Sequence, residues 1–226
     1  MDKALLQHLV KLRRHLHKYP EIGFQEYNTR KVLEEEFKAL GIAEENIHHA
    51  AETGMFVDIQ GKAPASQEYQ EDPSKLQPAP EAPNGQRIIA IRTDMDCLPL
   101  KETNEGLPYQ SAIEKRAHMC GHDGHMANVC AVAHLVVRAL DKIPSNCTVR
   151  LLCQPAEEGP GGAPPMIEDG CLEGVSGMLL AVNSHLFVTC AGSDPFLQKK
   201  KKKKSGLINF VFIFFLIYIC RSIRMA

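Results

Sequence analysis

A cluster of side chains that commonly bind metal ions lies near the middle of the chain. Cys120, His122 and His125 fall within six residues, interspersed with glycines and followed directly by an apolar run. Thiolate and imidazole groups bind borderline-soft divalent metals well, and the glycines let the backbone turn so that both can converge. The spacing therefore predicts a metal site. A buried cysteine beside a helix-capping histidine is the alternative, and it explains less of the spacing.

Two pairs of acidic residues follow predicted strands. Adjacent acids such as Glu157 and Glu158 usually indicate a solvated turn. Beside a metal ion, however, one glutamate can bind the ion while the other removes a proton from metal-bound water. Asp94 and Asp96 lie at the end of another strand. Asp96 could orient a ligand or a base, although a helix or turn cap explains its position equally well.

The predicted strands and the helix between them place these acids at one edge of a sheet. Strands are predicted at 55–60, 87–92 and 148–153, and we expect the first two to pair with each other. The buried helix predicted at 126–140 lies between the last two strands, which implies a parallel crossover and an α/β fold. Ligands are then expected at the carboxyl ends of the strands.

The first forty residues show helical periodicity twice. Apolar residues at helical spacing predict helices over 3–18 and 26–40, with a turn at 19–24. The segment 62–86 is rich in Pro, Ala, Gln, Glu and Ser, so it is predicted to be a surface loop.

Composition indicates a soluble globular protein with one domain. The chain has 226 residues, 44% of them hydrophobic and 23% charged, with a net charge of -1. Its basic residues are dispersed apart from one lysine run, which disfavours nucleic acid as a partner. Eight cysteines without a regular framework and an amino terminus without a signal-peptide core indicate a reducing, cytoplasmic compartment.

Four stretches together resemble the M20 metallopeptidases, in particular the amidohydrolases that act on N-acyl amino acids, hippurate or auxin conjugates. They stand in the family's order, at 13–24, 91–99, 118–126 and 154–159. The resemblance implies a partial catalytic domain over 1–192, with a mixed, largely parallel sheet flanked by helices. It also implies that the lid domain, through which family members dimerise, is absent and that the chain is truncated at its carboxyl end.

The resemblance also implies roles for individual residues around two divalent metal ions, Zn²⁺ or Mn²⁺, with Co²⁺ as a further candidate. Cys120, His122 and Glu158 would be ligands, with His185 as a looser match for the next one. Glu157 would be the general base and Asp96 the orienting carboxylate, while His125 and Asp94 would contact the ligands. The implied substrate is a small N-acyl amino acid.

Residues 193–226 depart from the family. Six lysines at 199–204 precede an apolar stretch at 207–220, which as a helix would span about 21 Å, less than the roughly 30 Å of a bilayer core. This tail could anchor the chain to a membrane, but its Lys, Phe, Ile, Asn and Tyr residues are all specified by A/T-rich codons, which favours translated noncoding sequence. We therefore expect impaired activity; the alternative is a non-catalytic metal-binding fragment, anchored through 207–220.

Overall fold

The computed structural model describes residues 2–65, 85–104 and 106–180. In this part of the chain, four α-helices and five strands are arranged as an α/β fold. The helices are α1 (Lys3–Lys18), α2 (Tyr27–Ala39), α3 (His122–Arg138) and α4 (Ala163–Glu168); the strands are β1 (Ile47–Ala50), β2 (Gly54–Gln60), β3 (Arg87–Asp94), β4 (Cys147–Gln154) and β5 (Val175–Leu180).

Helix α1 confirms the prediction from its apolar spacing. Its buried side chains Leu5, Leu9, Leu12 and Leu16 form one stripe that belongs to the core, where α1 packs against α3. Asp2 caps the helix, since its Oδ1 accepts a hydrogen bond from the backbone N–H of Leu5 at 2.7 Å. Burial of each leucine stabilises the fold by about 1.5–3 kcal/mol relative to exposure.

The sheet is mixed, in the order β1-β2-β4-β3-β5. Strands β3 and β4 are parallel, as the crossover through α3 predicts, and β5 is also parallel to β3. The pairs β1–β2 and β2–β4 are antiparallel. The predicted α/β class and the mixed sheet are therefore confirmed.

The predicted pairing of the strands at 55–60 and 87–92 is wrong. Both strands form hydrogen bonds with β4, which lies between them. Residues 150–154 of β4 are all buried, so this strand requires a neighbour on each side and covered faces above and below. A right-handed crossover from β3 also places β4 directly beside it.

Core residues lie on both faces of the sheet because neighbouring side chains of a strand point in opposite directions. Met55, Val57 and Ile59 of β2 belong to the core under α1, α2 and α3. Phe56 points to the other face, where Met166 of α4 belongs to a smaller core. The domain thus has helices on both faces.

Several elements differ from the prediction or were not predicted. Helix α3 begins at His122 instead of 126, so part of the Cys-His cluster forms its first turn. Strands β3 and β4 extend to Asp94 and Gln154. Elements β1, α4 and β5 were missed because they are short and lack a clear apolar period.

Some sequence predictions lie outside the described residues. These are His185, the lysine run at 199–204, the apolar stretch at 207–220 and most of the loop predicted at 62–86. Of the helices in the described ranges, none has the length and apolar character needed to cross a membrane.

Candidate metal centre

Two parallel strands and one helix bring the predicted site residues to the same edge of the sheet. Asp94 and Gln154 are register partners at the ends of β3 and β4. The backbone N–H of Met95 donates to the carbonyl of Gln154 at 2.9 Å, which extends the pairing one step further. The chain after each strand therefore emerges close to the other, and α3 begins beside both. We call the resulting group the strand-end cluster: Asp94, Asp96, Cys120, His122, His125, Glu157 and Glu158.

His122 is central to the strand-end cluster. Its Nδ1 lies 2.9 Å from the backbone carbonyl of Asp96, so this nitrogen donates the hydrogen bond. Its Nε2 lies 3.8 Å from Oε2 of Glu157 and 3.8 Å from Oε1 of Glu158. When the ring is neutral, the lone pair of Nε2 therefore points toward both glutamates, an orientation suited to a shared cation.

Asp96 connects the two strand ends. Its Oδ2 accepts a hydrogen bond from the backbone N–H of Glu158 at 2.8 Å, and its Oδ1 lies 3.3 Å from Nδ1 of His122. Burial alone would raise the pKa of Asp96, but the hydrogen bonds from His122 and Glu158 bring it below its ordinary value. The carboxylate is therefore ionised at neutral pH. It holds His122 close to the turn that carries Glu157 and Glu158, which we call the glutamate turn.

Cys120 adds a thiol to the same group. Burial, followed by hydrogen bonding to Glu158 and the negative charges of Glu157 and Asp96, raises the pKa of the thiol to about 11. These surroundings disfavour a further negative charge, so the thiolate requires a compensating cation. A divalent ion reverses this effect and deprotonates a coordinating thiol.

A second trio shares His122. Ligating atoms of Asp94, His122 and His125 lie within 4.8 Å of one another, and all three residues are buried. Arg92 fixes Asp94, with its Nε 2.9 Å and its Nη2 2.8 Å from Oδ1. Burial, then the charge of His122, lowers the pKa of His125, which keeps this imidazole neutral and able to bind a cation.

The buried imidazoles also provide a test of whether a metal fits. Nδ1 of His125 and both ring nitrogens of His118 are buried without a hydrogen-bond partner among the described residues. Burial lowers the pKa of His118 to about 4, so it too is neutral at physiological pH. Orphaned nitrogens beside thiol and carboxylate groups fit a site that accepts a divalent cation.

A buried ionic network holds the first turn of α3. The carboxylate of Asp123 accepts a hydrogen bond from Nδ1 of His17 at 2.8 Å and forms an ion pair with Arg13, whose Nε lies 2.7 Å from Oδ2. Nε2 of His17 lies 3.2 Å from Oε1 of Glu102, so the ring donates from both nitrogens and must be protonated. Burial lowers the pKa of His17, but the hydrogen bond and the charge of Asp123 raise it above its ordinary value.

A buried glutamate holds the turn that carries Glu157 and Glu158. Oε1 of Glu26 accepts from the backbone N–H of Ala156 at 2.9 Å, and Oε2 accepts from the hydroxyl of Thr53 at 2.5 Å. Ala156 has a positive φ of 51°, which is unusual for a residue with a Cβ. Glu26 is fully buried, and this burial raises its pKa. The hydrogen bonds that Glu26 accepts therefore stabilise a strained turn directly before the paired acids.

Seven residues of the strand-end cluster were predicted from the sequence, whereas the buried residues that hold them in place were not. The seven members of the strand-end cluster were all predicted, and the structure brings them together. Arg13 and His17 lie in one of the stretches that resemble the family, but the sequence predicts no role for them, nor for Glu26 or Thr53. The stretch at 13–24 contains Arg13 and His17, whereas no comparable pattern marks Glu26 or Thr53.

Comparison with known proteins agrees with the fold. The model of peptidase family M20/M25/M40 matches residues 90–207, slightly more than half of the chain, so the protein belongs to this family. Among solved structures, the YXEP protein of Bacillus subtilis, described as a dinuclear metal binding peptidase from the M20 family, superimposes with a TM-score of 0.64. Its sequence is 32% identical, and the match covers 80% of this chain and 43% of that one.

Relatives that match this chain include a carboxypeptidase and two deacetylases. Thermostable carboxypeptidase 1 of Saccharolobus solfataricus is 36% identical over 170 residues, which is 74% of this chain and 37% of the relative. N-acetyl-L-cysteine deacetylase of Bacillus subtilis is 36% identical over 176 residues, covering 78% and 36%. N-acetyldiaminopimelate deacetylase of Oceanobacillus iheyensis is 35% identical, covering 83% and 49%. The chain therefore spans less than half of the length of these relatives.

Proposed function

We propose that the strand-end cluster binds two divalent metal ions and that these residues serve the hydrolysis of the amide bond in N-acyl amino acids. The observation that carries this proposal is the position of His122, whose Nε2 lies 3.8 Å from a carboxylate oxygen of both Glu157 and Glu158. The description of the YXEP protein as a dinuclear metal binding peptidase supports the metal count. The names of the two deacetylases support the substrate class.

Cys120, His122 and Glu158 would hold the metal ions, together with His185 from outside the described residues. Their thiolate, imidazole and carboxylate groups suit Zn²⁺, and Mn²⁺ or Co²⁺ can occupy such mixed sites. His125 and Asp94 would stand beside the ligands, since both lie next to His122. Asp96 would keep His122 in one tautomer through its carbonyl oxygen.

In this proposal Glu157 is the general base. The metal ions, when bound, would polarise the substrate carbonyl and make water a stronger acid. Glu157 would accept a proton from the attacking water as its oxygen bonds to the carbonyl carbon. The same carboxylic acid would then give that proton to the amine nitrogen as the carbon–nitrogen bond breaks, releasing a carboxylate and a free amino acid. The Glu157 side chain, 40% exposed, is open to an incoming substrate, whereas that of Asp96 is 1% exposed.

Metal content and turnover of the purified chain test the two parts of the proposal separately. Glu157→Gln should retain the bound metal and lose the release of amino acid from an N-acetyl amino acid, by about 10²–10⁴-fold. Glu168→Gln, at an exposed position on α4, is the matched control and should change neither quantity. Turnover that survives Glu157→Gln would contradict the assigned base. Metal binding without turnover in the unsubstituted chain would instead assign it a non-catalytic metal-binding role.

A further inference from the structure

Three helices bring a second set of metal-binding side chains together, away from the strand-end cluster. His8 on α1, Glu36 on α2 and His134 on α3 have ligating atoms that all lie within 4.8 Å of one another. Nε2 of His8 lies 2.7 Å from Oε2 of Glu36, and the rings of His8 and His134 meet edge to face with centroids 6.0 Å apart. We name these three residues the helix cluster.

The donor set of the helix cluster suits one kind of cation. Two imidazoles and one carboxylate are a combination that binds Zn²⁺ with water in the remaining position. Tetrahedral bonds of about 2.0–2.1 Å require ligand atoms roughly 3.3 Å apart. Nε2 of His8 and Oε2 of Glu36 are 2.7 Å apart and the ligating atom of His134 lies within 4.8 Å of the other two, so side-chain rotations can bring all three to a common ion. We propose that the helix cluster is a separate Zn²⁺ site that ties α1, α2 and α3 together.

The helix packing holds the three side chains in place before a metal arrives. His8 is flanked by Leu5 and Leu9, Glu36 precedes Phe37, and His134 follows Ala133; each of these apolar neighbours is at most 5% exposed. The backbones that carry the ligands are therefore anchored in the core. Binding would order little more than three side chains, which keeps its entropic cost low.

The charges around the helix cluster also favour the binding of a cation. They leave lone pairs of the ligating side chains free to bind it. Burial, and then the charges of His8 and Arg138, lower the pKa of His134, so this ring is neutral at physiological pH. Glu36 provides a negative charge, and its side chain is only 20% exposed. Arg138, the cation closest in sequence on α3, pairs with Asp2 at 3.0 Å instead of with Glu36.

The helix cluster is distinct from the strand-end cluster and does not depend on the function proposed for it. His122 and His134 are twelve residues apart on α3, which corresponds to about 18 Å along the helix. The two sites share no residue. Failure of one proposal therefore leaves the other intact.

Zinc stoichiometry of the full chain and its variants tests this site. After equilibration with Zn²⁺ and gel filtration, His8→Ala and His134→Ala should each hold one ion fewer per chain than the unsubstituted protein. His49→Ala is the matched control, because His49 is an exposed histidine that also pairs with a glutamate, Glu34, at 3.2 Å. It should leave the stoichiometry unchanged.

A background without the strand-end site makes the result clearer. In His122→Ala protein, Zn²⁺ should still raise the thermal midpoint, and adding Glu36→Gln should abolish that rise. The proposal is overturned if His8→Ala and His134→Ala bind as many zinc ions as the unsubstituted chain. It is equally overturned if Glu36→Gln leaves the zinc-dependent rise in place.

Discussion

The strand-end cluster and the helix cluster use similar side chains but are supported in different ways. At the strand ends, Glu157 and Glu158 lie on a turn, and buried polar groups hold that turn and the start of α3. In the helix cluster, each ligand lies on a helix whose apolar face is buried in the core. One site is therefore positioned by hydrogen bonds and ion pairs, the other by hydrophobic packing.

This difference has an energetic consequence. A turn has few apolar contacts of its own, so its geometry depends on a small number of buried hydrogen bonds, each costly to leave unmade. Helix positions depend on many small contacts, and the loss of an exposed side chain changes them little. Substitutions of the buried residues that support the strand-end cluster should therefore alter its metal affinity. Substitutions in the helix cluster should change stability only by removing a ligand of its bound ion.

The largest effect is expected for His122→Ala. This change removes the imidazole shared by the two trios of the strand-end cluster whose ligating atoms lie within 4.8 Å of one another. Loss of a direct ligand should weaken metal binding there by more than about 100-fold, since even indirect partners of a ligand contribute 10–100-fold. Calorimetric titration with Co²⁺ measures this affinity. Equal affinity in the variant would contradict the role of His122.

Glu26→Ala should have the next largest effect although Glu26 binds no metal in our account. It leaves the N–H of Ala156 and the hydroxyl of Thr53 without their acceptor, which should lower the free energy of unfolding by about 2 kcal/mol. The glutamate turn should loosen, and metal affinity should fall by about 10-fold or more.

Glu26→Gln is the control for this effect. Its amide oxygen can still accept from Ala156, so metal affinity and the visible spectrum of the Co²⁺ form should be close to those of the unsubstituted chain. If Gln and Ala at this position weaken metal binding equally, the hydrogen bond to Ala156 is not what holds the turn.

Gly162→Ala tests the close packing of the same turn. A Cβ at Gly162 would lie 2.0 Å from the carbonyl oxygen of Pro155, so the turn would have to shift, at a cost of about 1–3 kcal/mol. Gly159→Ala is the matched substitution in the same turn, because a Cβ there meets no atom within 4 Å. Urea denaturation should separate the two variants, and similar stabilities would show that the turn is not tightly packed.

The smallest effect is expected for His8→Ala in metal-free protein. An exposed ion pair such as His8–Glu36 contributes about 0–1 kcal/mol, so thermal unfolding in chelator should change little. With Zn²⁺ present the difference should become measurable. A large loss of stability in chelator would mean that the helix cluster has a structural role without a metal.

The parts of the fold that could be predicted are those that depend on local patterns. The leucine stripe of α1 and the buried runs of β3 and β4 are each visible within a few residues of sequence. The pairing of β2 with β4 was not predictable in the same way, because it depends on where β4 enters the sheet. The first turn of α3 was also missed, since Gly121 and the polar residues after it conceal the helical period.

The same distinction applies to the site. Its chemical groups were predictable because the Cys-His and Glu-Glu motifs are compact. Glu26 was not, since its partner Ala156 lies 130 residues further along the chain and contributes only a backbone N–H. A hydrogen bond between a side chain and a distant backbone group leaves no pattern in a single sequence.

Metal binding at the strand ends can be measured alone in a chain that lacks the helix cluster. The chain carrying His8→Ala and His134→Ala, which lacks the helix cluster, should be equilibrated with Zn²⁺ and its bound metal measured by mass spectrometry. We predict that this protein retains zinc and that adding Cys120→Ser and His122→Ala removes it. Zinc content that stays the same after those two further substitutions would contradict metal binding by the strand-end cluster.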